Sequence, residues 1–134
     1  MARSFSRSAA FLAYGVRLRN PMTDWSGISA DGSMVAASLW RDEFRGLAGA
    51  MVYEKSDTND WVGPGKRALF QHLRYALDHC GGIVRVVVSV RDLSNCARVI
   101  DCYPAPNLLM RITYLDEMSG AFRLEQFLAV ENAA

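Results

Sequence analysis

The chain has almost no lysine. Lys55 and Lys66 stand against thirteen arginines, and 15 basic residues balance 14 acidic ones, for a formal charge of +1. A charge this close to zero excludes a polycationic nucleic-acid coat and an acidic solubilising tail, so any charged partner must be met by a local patch. Cysteine is scarce too. Cys80, Cys96 and Cys102 are odd in number and fit neither a C-x-x-C pair nor a zinc spacing, which predicts reduced thiols in a cytoplasmic protein without a disulfide framework or metal site. Apolar runs are short, and none reaches the roughly 18 residues of a membrane-spanning helix. Ala9 to Val16, behind Arg3 and Arg7, imitates the start of a signal peptide. Tyr14 and Gly15 break that run, and Arg17 and Arg19 stand where a small-residue cleavage site would fall, so no export signal and no membrane partner are expected. No G-x-S-x-G elbow, H-E-x-x-H helix or dinucleotide glycine fingerprint is present, and no motif nominates a nucleophile or base.

What is present reads as one domain over 1–134. With 51% hydrophobic and 22% charged residues the composition is ordinary for a globular chain. At this length about two-thirds of the unfolded surface is buried on folding, so stability requires no cofactor.

Ser4 is a helix cap, and Phe5, Ala9, Leu12 and Val16 recur on one face of a 3.6-residue period, which predicts a helix over 4–19 stopped by Pro21. Asp31-Gly32 supplies the positive φ angles of a tight turn and predicts a hairpin over 24–40. Its register sets Ser29 against Met34, Gly27 against Ala36 and Trp25 against Ser38. Residues 41–60 are irregular, with a short turn at Arg41 to Phe44 and a short strand at Ala50 to Glu54. Pro64 fits the first position of a helix over 64–80, whose stripe of Leu69, Leu73, Ala76, Leu77 and Cys80 ends at Gly81-Gly82. The valine-rich segment 83–91 is a central strand, with Arg85, Ser89 and Arg91 on the face opposite the valines. Strands 98–103 and 108–115 are separated by Pro104 and Pro106, and 121–127 completes a second hairpin. The tail from Val130 to Ala134 is expected to fray. The order implies an α+β protein: a mostly antiparallel sheet or half-barrel of five to six strands, with an N-terminal helix and one central helix.

In the predicted hairpin register, Trp25 and Trp40 border a floor of Gly27, Ala36 and Ser38. That is a slot on which a nucleobase or another planar ligand stacks, and Trp61, in the loop before the central helix, is placed to close it. The bland alternative is that these rings cover a second apolar layer under the N-terminal helix. Gly63-Pro64-Gly65-Lys66-Arg67 puts backbone N–H groups and two cations at a helix start, the recipe for an anion site, although the spacing is not that of a P-loop. Arg41 adjoins Trp40. The candidate ligand-binding set is therefore Trp25, Trp40, Arg41, Trp61, Lys66 and Arg67.

His72 and His79 are about 10 Å apart along the helix, too far to share a metal. Cys80, at a helix C-terminus, lacks the field that makes a thiolate. Asp42-Glu43 and Asp116-Glu117 are carboxylate pairs suited to acid-base work, or simply solvated turns.

Trp25-Ser26-Gly27, Asp31-Gly32-Ser33, Leu39 to Phe44 and Met110 to Asp116 resemble uncharacterised bacterial proteins of the kind carried on integron gene cassettes. That resemblance spans most of the chain and implies no activity and no catalytic residues. In architecture alone, a small mixed sheet with an aromatic slot is similar to base-reading domains of the PUA and EVE type, which implies nothing about function by itself. Three readings follow: a non-catalytic module binding nucleic acid or a small planar ligand; a small-molecule enzyme using Asp42, Glu43 or a helix histidine; and a homodimer whose tryptophan face is an interface. The first is preferred because catalytic signatures are lacking.

Overall fold

The computed structural model describes residues 5–128, the side chains of 96 and 97 excepted. Two helices, a short 3-10 turn and six strands follow one another: α1 (Arg7–Leu12), β1 (Ser26–Ile28), β2 (Val35–Trp40), the turn Arg41–Glu43, β3 (Val52–Lys55), α2 (Pro64–His79), β4 (Ile83–Asp92), β5 (Asn95–Asp116) and β6 (Ala121–Phe127). The strands form one open sheet in the order β1-β2-β4-β5-β6-β3. β2 and β4 run parallel, joined by the crossover that contains α2, and the other neighbours are antiparallel. The α+β class and the largely antiparallel six-stranded sheet agree with expectation, and the sheet does not close into a barrel.

The sheet is strongly curled around α2. β2 and β3 are four places apart in strand order, about 19 Å in a flat sheet. Yet the Trp40 backbone N–H donates to the Tyr53 hydroxyl at 3.4 Å. The enclosed core holds Leu69, Phe70, Leu73 and Ala76 of α2 against Val35, Ala37 and Leu39 of β2, Val84, Val86 and Val88 of β4, and Phe122 and Leu124 of β6. The period of two along each strand and the 3.6-residue stripe of α2 thus meet on one surface.

A second, smaller core lies on the outer face. There Ala10, Phe11, Tyr14, Val16 and Leu18 cover Ala36, Val87 and Cys102. Two expectations are corrected here. α1 spans six residues instead of 4–19, and Pro21 is not what ends it. Gly15 takes φ +72°, its N–H bonds to the Leu12 carbonyl, and the Val16 N–H bonds back to the Phe11 carbonyl, the left-handed helix closure that glycine permits. Ser6 caps the helix by accepting from the Ala9 N–H, while Ser4 lies outside the described residues. Nor do Pro104 and Pro106 interrupt the sheet: β5 is one 22-residue strand where two were expected. The register against β4 jumps between the pairs Arg85–Leu109 and Val87–Pro104, so Pro106 falls within a bulge and Pro104 stands at its edge, positions where a missing N–H is tolerated. The expected fraying at Val130 to Ala134 lies outside the described residues.

Candidate functional site

The hairpin forms with the predicted register, Gly27 opposite Ala36, and with the Ser29 N–H donating to the Met34 carbonyl. Its outer face, however, is not an open floor. A side-chain carbon added at Gly27 would collide with Val16, and Ala36 is fully buried beneath the N-terminal segment. The apolar-layer alternative therefore holds for the first part of this face. Beyond Ala36 the cover stops, and Ser38 and Trp40 open into a cavity of about 530 Å³.

This cavity gathers all three tryptophans. Trp25 enters from the chain before β1, Trp40 from the end of β2 and Trp61 from the loop before α2. Trp61 meets Trp25 edge to face at 5.6 Å and Phe122 at 5.9 Å, so its ring is anchored in the aromatic core. Gly65 makes the approach possible, since any side-chain carbon there would strike the Thr23 carbonyl and the Trp25 ring. Behind Trp40 the guanidinium of Arg91 stacks at 4.5 Å from the ring centre, which covers one face of the indole. Polar groups are few: the Ser38 and Ser89 hydroxyls, bonded to each other at 2.6 Å, the Tyr53 hydroxyl, Arg7 and Asp60.

A charged cluster braces the Trp40 side. Arg91 donates from Nε and Nη2 to both oxygens of Asp42, at 3.1 and 2.9 Å for the shorter contacts. Arg91 also lies 3.4 Å from Glu43, which in turn accepts from the Tyr53 hydroxyl at 2.7 Å and from Lys55 Nζ at 3.2 Å. The Arg91 hydrogen bonds hold the Asp42 carboxyl below the usual range. Burial, reinforced by the Glu43 carboxylate, pushes the Tyr53 hydroxyl well above the ordinary tyrosine range, so it stays protonated as a donor. Asp42 and Glu43, two of the acids suited to acid-base work, are thus engaged by Arg91 and Lys55.

The other predicted residues separate from this cavity. Lys66 and Arg67 line a second hollow of about 490 Å³ on the far side of the α2 start, together with Asn59, Phe70 and Glu117. Lys66 Nζ donates there to the Thr58 carbonyl at 2.7 Å, so it is a loop brace. Arg41 is exposed in the 3-10 turn and lines neither cavity. His72 Nδ1 lies 2.7 Å from the Ser26 hydroxyl and is lowered in pKa by burial, against an opposing pull from Asp24. The His79 ring packs at a tilt against Tyr75, 4.6 Å between ring centres. Burial pushes the Cys80 thiol up, away from thiolate formation.

Arg7, Tyr53, Asp60, Ser89 and Arg91 went unnominated from sequence. Ser89 and Arg91 carried a signal, as polar positions on the face opposite Val84, Val86, Val88 and Val90. The placement of Arg7 depends on long-range packing alone. Comparison with protein-family models, curated proteins and solved structures gives no match to this chain, so neither the integron-cassette resemblance nor the PUA/EVE likeness gains support. Fold and site together define an open, curled α+β sheet with a tryptophan-walled cavity at the C-terminal end of β2.

Proposed function

We propose that the protein is a non-catalytic binding protein that holds a small planar ligand, of nucleobase or similar size, between Trp25, Trp40 and Trp61. The observation that carries this reading is the convergence of three tryptophans, far apart in sequence, on one cavity. Its volume of about 530 Å³ lies within the roughly 300–1,000 Å³ of small-ligand sites. A ring stacked on indole gains about 1–3 kcal/mol, and a floor of serine hydroxyls supplies donors and acceptors for its polar edge.

A cavity of this size favours a single ring system over a polymer. The expected phosphate-binding cations Lys66 and Arg67 belong to a different hollow, which weakens the nucleic-acid version of the proposal. The enzyme alternative has less support still, because Asp42 and Glu43 are engaged by Arg91 and Lys55. All three indoles are half-buried rather than spread on an exposed face, which favours a ligand site over a homodimer interface.

The test is a titration of tryptophan emission with adenosine, with short single-stranded DNA and RNA, and with duplex DNA, at low and moderate salt. The proposal expects saturable quenching by adenosine that is insensitive to salt and lost in Trp40→Ala. Emission unchanged by every probe, at concentrations up to the solubility limit of adenosine, would remove it. Quenching by the polymers alone, weakening with salt, would replace it with a nucleic-acid surface.

A further inference from the structure

Resting on the planar-ligand reading, we propose that Arg7 makes the cavity selective for planar ligands that carry an anionic group, a carboxylate or a phosphate. Among the described residues lining the cavity, Arg7 is the one cation, and its neighbours there are mostly aromatic and aliphatic. Its guanidinium is fixed: Nη1 donates to the Pro21 carbonyl at 3.2 Å and to the Asp24 carbonyl at 3.4 Å, which ties the side chain across the turn between α1 and β1. Those acceptors are neutral, and among the described residues no carboxylate forms an ion pair with Arg7. The nearest candidate in sequence, the Asp24 carboxylate, is used instead by the backbone N–H groups of Arg19 and Asn20.

The contrast with Arg91 is informative. Arg91 braces the same wall from behind, but its charge is met by Asp42 and Glu43. Arg7 has no carboxylate partner among the described residues and is half-buried in a cavity walled by indole rings, where displacement of water by a ligand strengthens any ion pair. A guanidinium tethered through one nitrogen still offers Nε and Nη2 as a planar fork, the geometry that suits carboxylate and phosphate oxygens. Asp60 also lines the cavity, and because it is exposed, solvent weakens its repulsion of an anion without abolishing it.

The experiment is isothermal titration calorimetry with matched pairs that differ in charge: 2-naphthoate against 2-naphthamide, and adenosine monophosphate against adenosine. A charge-assisted hydrogen bond corresponds to about a ten-fold preference for the anionic member of the favoured pair. Arg7→Gln should reduce that preference to roughly two-fold or less while leaving the neutral probe's affinity in place, and Asp60→Asn should raise affinity for the anion. Which pair shows the preference separates a carboxylate ligand from a phosphate. Equal binding of both members of each pair by the unmodified protein would overturn the role of Arg7 and leave the cavity reading standing. Loss of neutral and anionic probes to the same extent in Arg7→Gln, with Asp60→Asn unchanged, would overturn it as well. No binding of any probe would overturn both.

Discussion

The hydroxyl of Tyr14 donates to the carbonyl of Val86 at 2.8 Å and accepts from the N–H of Ala105 at 3.0 Å. Those two backbone groups face each other across the β4–β5 bulge, where the register shift removes their ladder partners. One phenol from the N-terminal segment thus satisfies a donor and an acceptor that the prolines of β5 helped to strand. Burial pushes this hydroxyl above the ordinary tyrosine range, so it keeps its proton across the physiological range.

Tyr14→Phe retains the ring in the outer core but leaves a buried carbonyl and a part-buried N–H unpaired. A buried unpaired group costs about 1–3 kcal/mol and the part-buried N–H less, so a loss of roughly 2–4 kcal/mol is expected. Urea denaturation should show a lower midpoint at unchanged slope. A midpoint equal to that of the unmodified protein would mean that water replaces the hydroxyl.

Stability should also depend on pH through His72. Burial lowers its pKa in the fold, while in the unfolded chain it returns to the ordinary histidine value of about 6.5. Between those two values the unfolded chain binds more protons, so this contribution is complete above pH 6.5 and is lost as pH falls toward the folded value. Thermal unfolding between pH 8 and 5 should show the decline, and His72→Gln, which can still bond Ser26, should flatten it. An identical slope in both proteins would assign the pH dependence elsewhere.

Local chemistry was legible in the sequence where it was decided locally. Asp31-Gly32 fixed the hairpin register because Gly32 takes φ +75° and the Asp31 carboxylate bonds Ser29 and Ser33. α2 was legible from its stripe and from Pro64 and Gly81. The length of α1 was misread because Gly15 sits inside an apolar period, and a helix stop by left-handed closure leaves that period intact. β5 was misread because proline argues against a strand unless a bulge removes the need for its N–H, and the Tyr14 hydroxyl that bonds Ala105 in that bulge is 91 residues away in sequence. Two of the candidate aromatics, Trp25 and Trp40, were linked through hairpin register. Trp61 was placed beside them from its position before α2, and its packing on Trp25 and Phe122 is tertiary; no local signal separates the Lys66 hollow from the tryptophan cavity.

Gly65 shows a constraint of a different kind. As a helical residue it would gain about 1 kcal/mol from replacement by alanine on propensity grounds. The added carbon would meet the Thr23 carbonyl and come within 3.0 Å of the Trp25 ring, and both are held by surrounding structure. Overpacking of this sort costs about 1–3 kcal/mol, so the clash wins and Gly65→Ala should destabilise. It should also shift the Trp25 indole, visible as a changed emission maximum. A raised melting temperature would show that the β1 approach yields easily.

The last test concerns the cavity floor. Ser38 and Ser89 bond each other at 2.6 Å, and Ser89 is only 4% exposed, so each hydroxyl is the other's partner within the described structure. Removing one strands the second, whereas removing both leaves an apolar floor with no orphan. Ser38→Ala should cost about 1 kcal/mol, and the double alanine variant should be no worse than that single one, a coupling of about 1 kcal/mol or more in a double-mutant cycle. Planar ligands bound through a polar edge should lose affinity in the double variant, while purely apolar rings of the same size gain or hold theirs, because only the former need the hydroxyls. Additive single effects with unchanged binding of both ligand types would show that solvent in the cavity already satisfies each serine independently.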